Sequence, residues 1–487
     1  MGKRKKRNGE ILTPIEIASS GAEGQCIART DGKVVFVEKA VPGDVATLRI
    51  IQDRSGWMKA TIVELLEKSA DRVDTFCQHF PVCGGCKWQQ MGYAAQLRYK
   101  NQQVRDALKH IGKVEVGEWL PIAAASETKH YRNKLEFTFS NKGYLEIFDK
   151  ENPEHLSVQA LGYHAPGRFD KVFDVDTCYL MPPLANDIRN GLRSLCVENA
   201  ISFFDLKEQT GMMRNLLLRC NRQGEWLVVV VFAKDEPETI TLVMDWMKES
   251  FPQIVSLHYV VNEKRNDTLH GLETICVNGE PFLIEVLGDL TFRIQPKSFF
   301  QTNTQQAEKL YSITKEFAEL SGTELVYDLY SGTGTIGLFL ADKCSKVVGV
   351  EYVQDAVDDA YENAQLNGIR HASFFAGDMA KVLDETFVQT HGKPDVVITD
   401  PPRAGMHPDV VARLLQMEAD KIVYVSCNPA TQARDLHLLS EKYYVLKVQP
   451  IDMFPHTHHV ESVALLGRRG REDGSGEMGA GSRYVKN

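Results

Sequence analysis

The sequence has no apolar run long enough to cross a bilayer; the longest, Trp226 to Ala233, is rich in β-branched residues and reads as a buried strand. No apolar signal core follows the basic amino terminus (Lys3, Arg4, Lys5, Lys6, Arg7), so no secretory peptide is expected and the location expected is the cytoplasm. An excess of positive charge is missing too. Lys and Arg number 56 against 65 Asp and Glu, a formal net charge of -9. That balance argues against a protein that coats nucleic acid without selectivity, yet it is compatible with a local basic groove, because phosphate affinity follows patches. Internal repeats are absent. So is paired Cys-x-x-Cys spacing, the usual mark of a four-cysteine zinc site: Cys83 and Cys86 form a single such pair.

What is present suits a chain of two to three domains, with 43% hydrophobic and 25% charged side chains over 487 residues. Residues 1–9 form a basic tail, expected to be solvated, with an RNA-touching arm as the other reading. Residues 10–68 alternate short strands with Gly and Pro turns (Val34 to Val37, the turn Pro42-Gly43-Asp44, Val45 to Ile51, Met58 to Leu65), the pattern of a small closed barrel of oligonucleotide-binding type. Residues 69–285 hold a cysteine loop, a helix from Tyr93 to His110 that could pack on the next domain, and an antiparallel sheet with helices on it. From 286 to 468 strand and helix alternate, which predicts an α/β, doubly wound, largely parallel sheet. The last stretch, 469–487, is rich in Gly, Ser and charge and is expected to be disordered.

Ligands of such sheets bind beyond the carboxyl ends of the strands. Asp328, Glu351, Asp378, Asp400 and Cys427 all fall at or just past such ends. The run Asp328-Leu329-Tyr330-Ser331-Gly332-Thr333-Gly334-Thr335-Ile336-Gly337 contains a GxGxxG, weak evidence alone because dinucleotide enzymes share it. Asp328 closes the strand before the glycines, where it suits an amino group and repels a pyrophosphate. Glu351 suits both ribose hydroxyls of an adenosine, and Asp378 can accept from the adenine amine. These details favour S-adenosylmethionine over NAD.

A cysteine beside a methyl donor points to attack on a pyrimidine. Carbon 5 of uracil is a poor nucleophile, but a thiolate added at carbon 6 makes it enolate-like. Carbon 5 then takes the methyl group, a base removes its proton, and the cysteine leaves by elimination. Cys427 is the nucleophile in this reading and Glu461 the base. Asp400 and Gln301 read the uracil edge, and Phe299 or Phe300 stacks on an extruded base. His456, His458, His459 and Glu461 as a metal cluster is the bland alternative, and alternation along a strand entry disfavours it. Asp-Pro-Pro also marks amino-methyltransferases, but Arg403 stands where those carry an aromatic residue.

With Ser298-Phe299-Phe300-Gln301, Asp328 to Gly334, Asp400-Pro401-Pro402-Arg403, Ser426-Cys427-Asn428-Pro429 and His459-Val460-Glu461 in place, the chain resembles the S-adenosylmethionine-dependent RNA uracil-5-methyltransferases over nearly its whole length. The resemblance implies Cys427 as nucleophile, Glu461 as base, and Gln301, Tyr330, Glu351 and Asp400 lining the cofactor site. Tyr131-Arg132-Asn133-Lys134 matches a further family motif, with Arg132 and Lys134 placed to touch phosphate or merely lying at a strand entry. The spacing Cys77-x5-Cys83-Gly84-Gly85-Cys86, with Cys178 as fourth ligand, suits an iron–sulfur cluster, zinc being the other reading. The branch methylating large-subunit (23S) ribosomal RNA has this cysteine pattern and an amino-terminal TRAM barrel, so the resemblance implies a [4Fe–4S] cluster and that RNA. Transfer RNA is the second expectation, and an inactive RNA-binding protein of the same fold the third. A monomer is expected, acting on structured RNA and not on DNA.

Overall fold

The computed structural model describes residues 7–144 and 159–470; most of the amino-terminal tail and 471–487 of the carboxyl-terminal one lie outside the described residues. Five strands, β1 (Ile11–Ser20), β2 (Cys26–Thr30), β3 (Lys33–Val37), β4 (Val45–Asp53) and β5 (Trp57–Glu67), close into a barrel in the order β1-β2-β3-β5-β4. Alternation does this: Ile17, Ala28, Val35, Val37, Leu48 and Ile50 point inward and are buried, while their neighbours face out. Asp44 in the Pro-Gly-Asp turn is also buried, where it accepts from the Val41 and Ser69 amides and pairs with Arg72 at 2.5 Å.

Side chains just past the cysteine loop tie the barrel to the rest of the chain. The Trp88 indole donates to the Gly24 carbonyl at 3.2 Å, and the Gln90 amide to the Ala40 carbonyl at 3.2 Å. A helix then runs over Tyr93–Asp106, continues as a wider turn to Gly112 and stops at Lys113, whose φ of 52° is left-handed. A short strand, β6 (Val116–Trp119), comes next.

The central sheet has seven strands: β7 (Lys134–Ser140), β8 (Ala160–His164), β9 (Val172–Asp174), β10 (Met213–Cys220), β11 (Trp226–Phe232), β12 (Ile254–Val261) and β13 (Ile275–Gly279). Its order is β13-β12-β11-β10-β7-β8-β9. Antiparallel pairing holds as expected except between β11 and β12, which run parallel because the helix Pro237–Ser250 carries the chain back between them. That helix and Leu184–Glu198 cover one face through Ile188, Leu192, Val243 and Met247.

A hairpin, β14 (Leu283–Leu287) with β15 (Leu290–Ile294), leads into the last sheet. Its remaining strands are β16 (Leu325–Leu329), β17 (Lys346–Glu351), β18 (Ala372–Ala376), β19 (Val396–Thr399), β20 (Lys421–Ser426), β21 (Tyr443–Ile451) and β22 (Glu461–Arg468). The eight-stranded order is β18-β17-β16-β19-β20-β22-β21-β6. The first five are mutually parallel, β22 is antiparallel to both neighbours, and β6 joins the edge parallel to β21. Strand order reverses between β16 and β19, so a crevice opens above Leu329 and Thr399. The continuous apolar runs of β16, β17, β19 and β20 reflect burial on both faces. The Tyr93–Asp106 helix contributes Val104 to the same core as Tyr424 and Leu436.

Candidate active site

A groove of about 1390 Å³ opens above that crevice, lined by the last sheet and by Lys134, Glu136 and Leu217 of the central sheet's inner strands β7 and β10. Of the residues singled out from sequence it is lined by Arg132, Lys134, Phe299, Gln301, Tyr330, Gly332, Glu351, Asp378, Asp400, Cys427 and Glu461, while Asp328, Gly334 and Phe300 are not among its lining.

At its cofactor end the backbone does much of the shaping. Tyr330, Gly332 and Gly334 have φ of 63°, 53° and 76°, so the chain turns sharply off β16. A Cβ on Gly332 would meet nothing within 4 Å, leaving open space above the loop, whereas one on Gly334 would press on Ala360 and Phe374. Glu351 is pinned rather than free: its carboxylate accepts from the Gly332 amide at 3.0 Å, from Tyr352 at 2.7 Å and from Val353 at 3.0 Å. Asp378 caps the helix Met379–Val382 by accepting from the Ala380 amide. One oxygen of buried Asp328 accepts from Gly337 at 2.8 Å and the other has no partner. Burial, followed by the charges of Asp400 and Glu351, pushes the Asp328 carboxyl up to about 7. Burial pushes Asp400 up to about 7 as well. Two desolvated carboxyls at one rim suit a cationic ligand.

Cys427 follows the last residue of β20 and is held by its loop. Asn428 caps the helix Pro429–Leu439, accepting from the Ala430 amide at 3.1 Å, with Pro429 at its first position. The Asn428 amide and the Thr431 hydroxyl both donate to the Arg403 carbonyl, at 3.0 and 3.2 Å, so the loop carrying Cys427 is fastened to the Asp-Pro-Pro-Arg loop. Burial pushes the Cys427 thiol up to about 12; Glu461 and Asp400 add to this and the Arg403 cation opposes it. Glu461 opens β22, is 4% exposed, and is pushed up to about 8 by burial and then by Asp400, again opposed by Arg403. Arg403 is thus the cation that opposes the upward shifts of both Cys427 and Glu461. In the sequence it served only to exclude another class, although its place beside Asp400 was a signal.

Elsewhere on the groove two adjacent phenylalanines are separated. Phe300 is 3% exposed in the core near Phe292, while Phe299 is 68% exposed on the groove, so Phe299 is the ring available for stacking. Gln301 is buried, and its carbonyl accepts from the Asn133 amide at 2.9 Å. The Arg132 guanidinium lies over the Phe454 ring at 5.1 Å, and its Nε is buried without a partner. Lys134 lies on the groove wall with its ammonium pushed down by burial and by Arg219. His459, with a ring 4.1 Å from that of His458, also lines the groove; burial keeps it neutral.

Cys77, Cys83, Cys86 and Cys178 meet around one small cavity walled by Tyr163, Val175 and Leu180. All four are free thiols. Burial pushes Cys83 up to about 12 and Cys86 up to about 11, with neighbouring cysteines adding to both. Among the described residues no group of three or more His, Cys, Asp or Glu is set to hold a metal ion, neither here nor at His456 to Glu461. The expected [4Fe–4S] cluster is therefore not shown, although the gathering of the four cysteines is the one the spacing implied.

A family model described as tRNA (Uracil-5-)-methyltransferase matches residues 282–469, and a TRAM domain model matches 5–63. A protein of Bacteroides thetaiotaomicron named as an uncharacterized RNA methyltransferase is 49% identical, over 91% of this chain and 99% of its own length. One of Chlorobaculum tepidum, similarly named, is 39% identical over 95% and 97%. Among solved structures, the tRNA (uracil-54, C5)-methyltransferase of Pyrococcus abyssi with S-adenosyl-L-homocysteine is similar at 27% identity. Its TM-score is 0.71, with 93% of this chain and 100% of that one covered.

Proposed function

The chain belongs to the S-adenosylmethionine-dependent RNA uracil-5-methyltransferases that carry a TRAM domain, and on that premise we propose that it methylates carbon 5 of a uridine in large-subunit ribosomal RNA, with Cys427 as nucleophile and Glu461 as base. The observation that carries the reading is the meeting of Cys427, Glu461, Asp400 and the exposed Phe299 on one groove.

The donor, when bound, supplies an electrophilic methyl group on a sulfonium. Asp328 and Asp400 would meet its cationic end and Glu351 would hold its ribose. An extruded uracil stacks on Phe299, and Arg132 and Lys134 meet its phosphates. Cys427 reacts as the thiolate, its thiol proton having passed to solvent; the sulfur bonds to carbon 6 and the electron pair of the 5,6 double bond moves toward the carbonyl oxygen. Carbon 5 takes the methyl group as the bond from that carbon to the sulfonium sulfur breaks, and S-adenosylhomocysteine is the leaving group. Glu461 then accepts the carbon 5 proton, the 5,6 double bond re-forms, and the carbon 6–sulfur bond breaks to return the thiolate.

The four thiols fit a thiophilic group: burial raises Cys77, Cys83 and Cys86, and iron would stabilise such thiols as thiolates. Cys77, Cys83, Cys86 and Cys178 would hold a [4Fe–4S] cluster in a structural role, since methyl transfer moves no electron. Ribosomal RNA is supported by the resemblance of the barrel and cysteine pattern. Transfer RNA is the second reading, favoured by the likeness to the Pyrococcus abyssi enzyme over nearly the whole chain. Purified protein with labelled donor should give 5-methyluridine from unmodified large-subunit ribosomal RNA and none from transfer RNA. Product from transfer RNA alone would overturn the substrate, and none from either would overturn the activity.

A further inference from the structure

The connection from β21 to β22, residues 452–460, ends at the base and is unusual for a hairpin connection in being mostly buried: Asp452, Met453, His456, Thr457 and Val460 are at most 7% exposed. Loops ordinarily run over the surface because their backbone groups need water. Here other elements replace the water. The Lys100 ammonium, on the Tyr93–Asp106 helix, donates to the Asp452 carboxylate at 2.6 Å and to the Phe454 carbonyl at 3.0 Å; both charged groups are 0% exposed. One helical turn earlier, Gln96 accepts from the His456 amide at 2.8 Å, and its amide nitrogen lies 3.2 Å from His456 Nδ1. The Lys87 and Trp88 amides, directly after Cys86, donate to the His456 carbonyl at 2.9 and 3.0 Å. The Tyr131 hydroxyl holds the Pro455 carbonyl at 2.9 Å and the Asn303 amide the Met453 carbonyl at 2.9 Å. His456 sits at φ 64°, a left-handed conformation that a side chain adopts only when its surroundings impose it.

We propose that the cysteine loop and the Tyr93–Asp106 helix form a brace that sets the position of the Glu461 carboxylate, with Gln96 and Lys100 as positioning residues for the proton-abstraction half of the reaction. The proposal rests on the reading of Glu461 as base. It gives the thiol-bearing loop a task that needs no redox change: the two residues after Cys86 grip the carbonyl of His456, whose amide Gln96 locks from the other side. Cys427 stands on a different loop, fastened to Arg403, so the brace governs release of the methylated base and leaves addition and methyl transfer intact. A base displaced by a fraction of an ångström loses proton transfer steeply.

The test compares wild type with Gln96→Ala, Gln96→Glu and Tyr131→Phe, the last removing a single hydroxyl. Each receives methyl-labelled donor and the unmodified RNA that wild type methylates. Free 5-methyluridine is counted alongside the labelled RNA–protein adduct on a denaturing gel, with thermal midpoints recorded. Gln96→Ala should lower turnover roughly ten- to a hundredfold while the methylated adduct rises severalfold above wild type. Gln96→Glu, which keeps the acceptor for the His456 amide, should recover part of the turnover, and Tyr131→Phe should show a smaller rise in adduct. Lost turnover without adduct in both Gln96→Ala and Tyr131→Phe, or wild-type turnover in both, overturns the brace. Wild type making no 5-methyluridine would instead overturn the functional reading.

Discussion

At the residue scale the electrostatics rest on Asp328 and Asp400, pushed up to about 7, and Glu461, pushed up to about 8. A carboxyl whose folded pKa exceeds its unfolded value keeps a proton in the native state that the unfolded chain has released. Stability from these groups therefore falls as pH rises from about 4 to about 8. A bound cation reverses the preference and favours the carboxylate. Binding of the sulfonium donor at pH 7 should release protons, and binding of S-adenosylhomocysteine, which lacks the sulfonium charge, should release fewer. Calorimetry in two buffers of different ionisation enthalpy measures this, and equal release would place the sulfonium away from both aspartates. Cys427→Ala should abolish methylation while leaving donor affinity nearly unchanged. Methylation by that variant would rule out a covalent step through this thiol.

Among elements, most strands of the last sheet were legible because they are short, mainly apolar runs, and β17, β19 and β20 end in or lead straight into the polar rim residues Glu351, Asp400 and Cys427. The same pattern could not separate Phe299 from Phe300. Side chains of neighbours in an extended segment point oppositely, and only the packed hairpin shows which one enters the core. Phe299→Ala should weaken RNA binding by about 1–3 kcal/mol, the usual worth of a base stacked on an aromatic ring, with donor binding unchanged. An RNA affinity equal to wild type in filter binding would leave the stacking role without support. Gln96 and Lys100 were illegible for another reason. On a helix they look like solvated polar residues, and their partners His456 and Asp452 lie 360 and 352 positions further along the chain.

Across the whole molecule, the barrel, the cysteine loop and the catalytic sheet form a continuous chain of contacts. Trp88 donates its indole to the barrel and its backbone amide to His456, so one residue touches both the TRAM domain and the connection leading to the base. A Cβ on Gly24 of the barrel would come within 3.3 Å of His458 Nδ1, two residues before Val460 and three before Glu461. The composition could not disclose this joining, since it depends on how three separately folded layers meet. Arg132, Lys134, Lys297 and Arg403 line the groove among a larger number of carboxyls, so its cations act locally and the groove as a whole is not a basic patch.

The most direct test of covalent catalysis by Cys427 with Glu461 as base uses Glu461→Gln with methyl-labelled donor and unmodified RNA, followed by denaturing electrophoresis and peptide mass analysis of the shifted band. A methylated RNA adduct on the peptide containing Cys427 should accumulate while free 5-methyluridine falls by roughly a hundredfold or more. Turnover without any adduct, or an adduct on another residue, would contradict covalent catalysis by this pair.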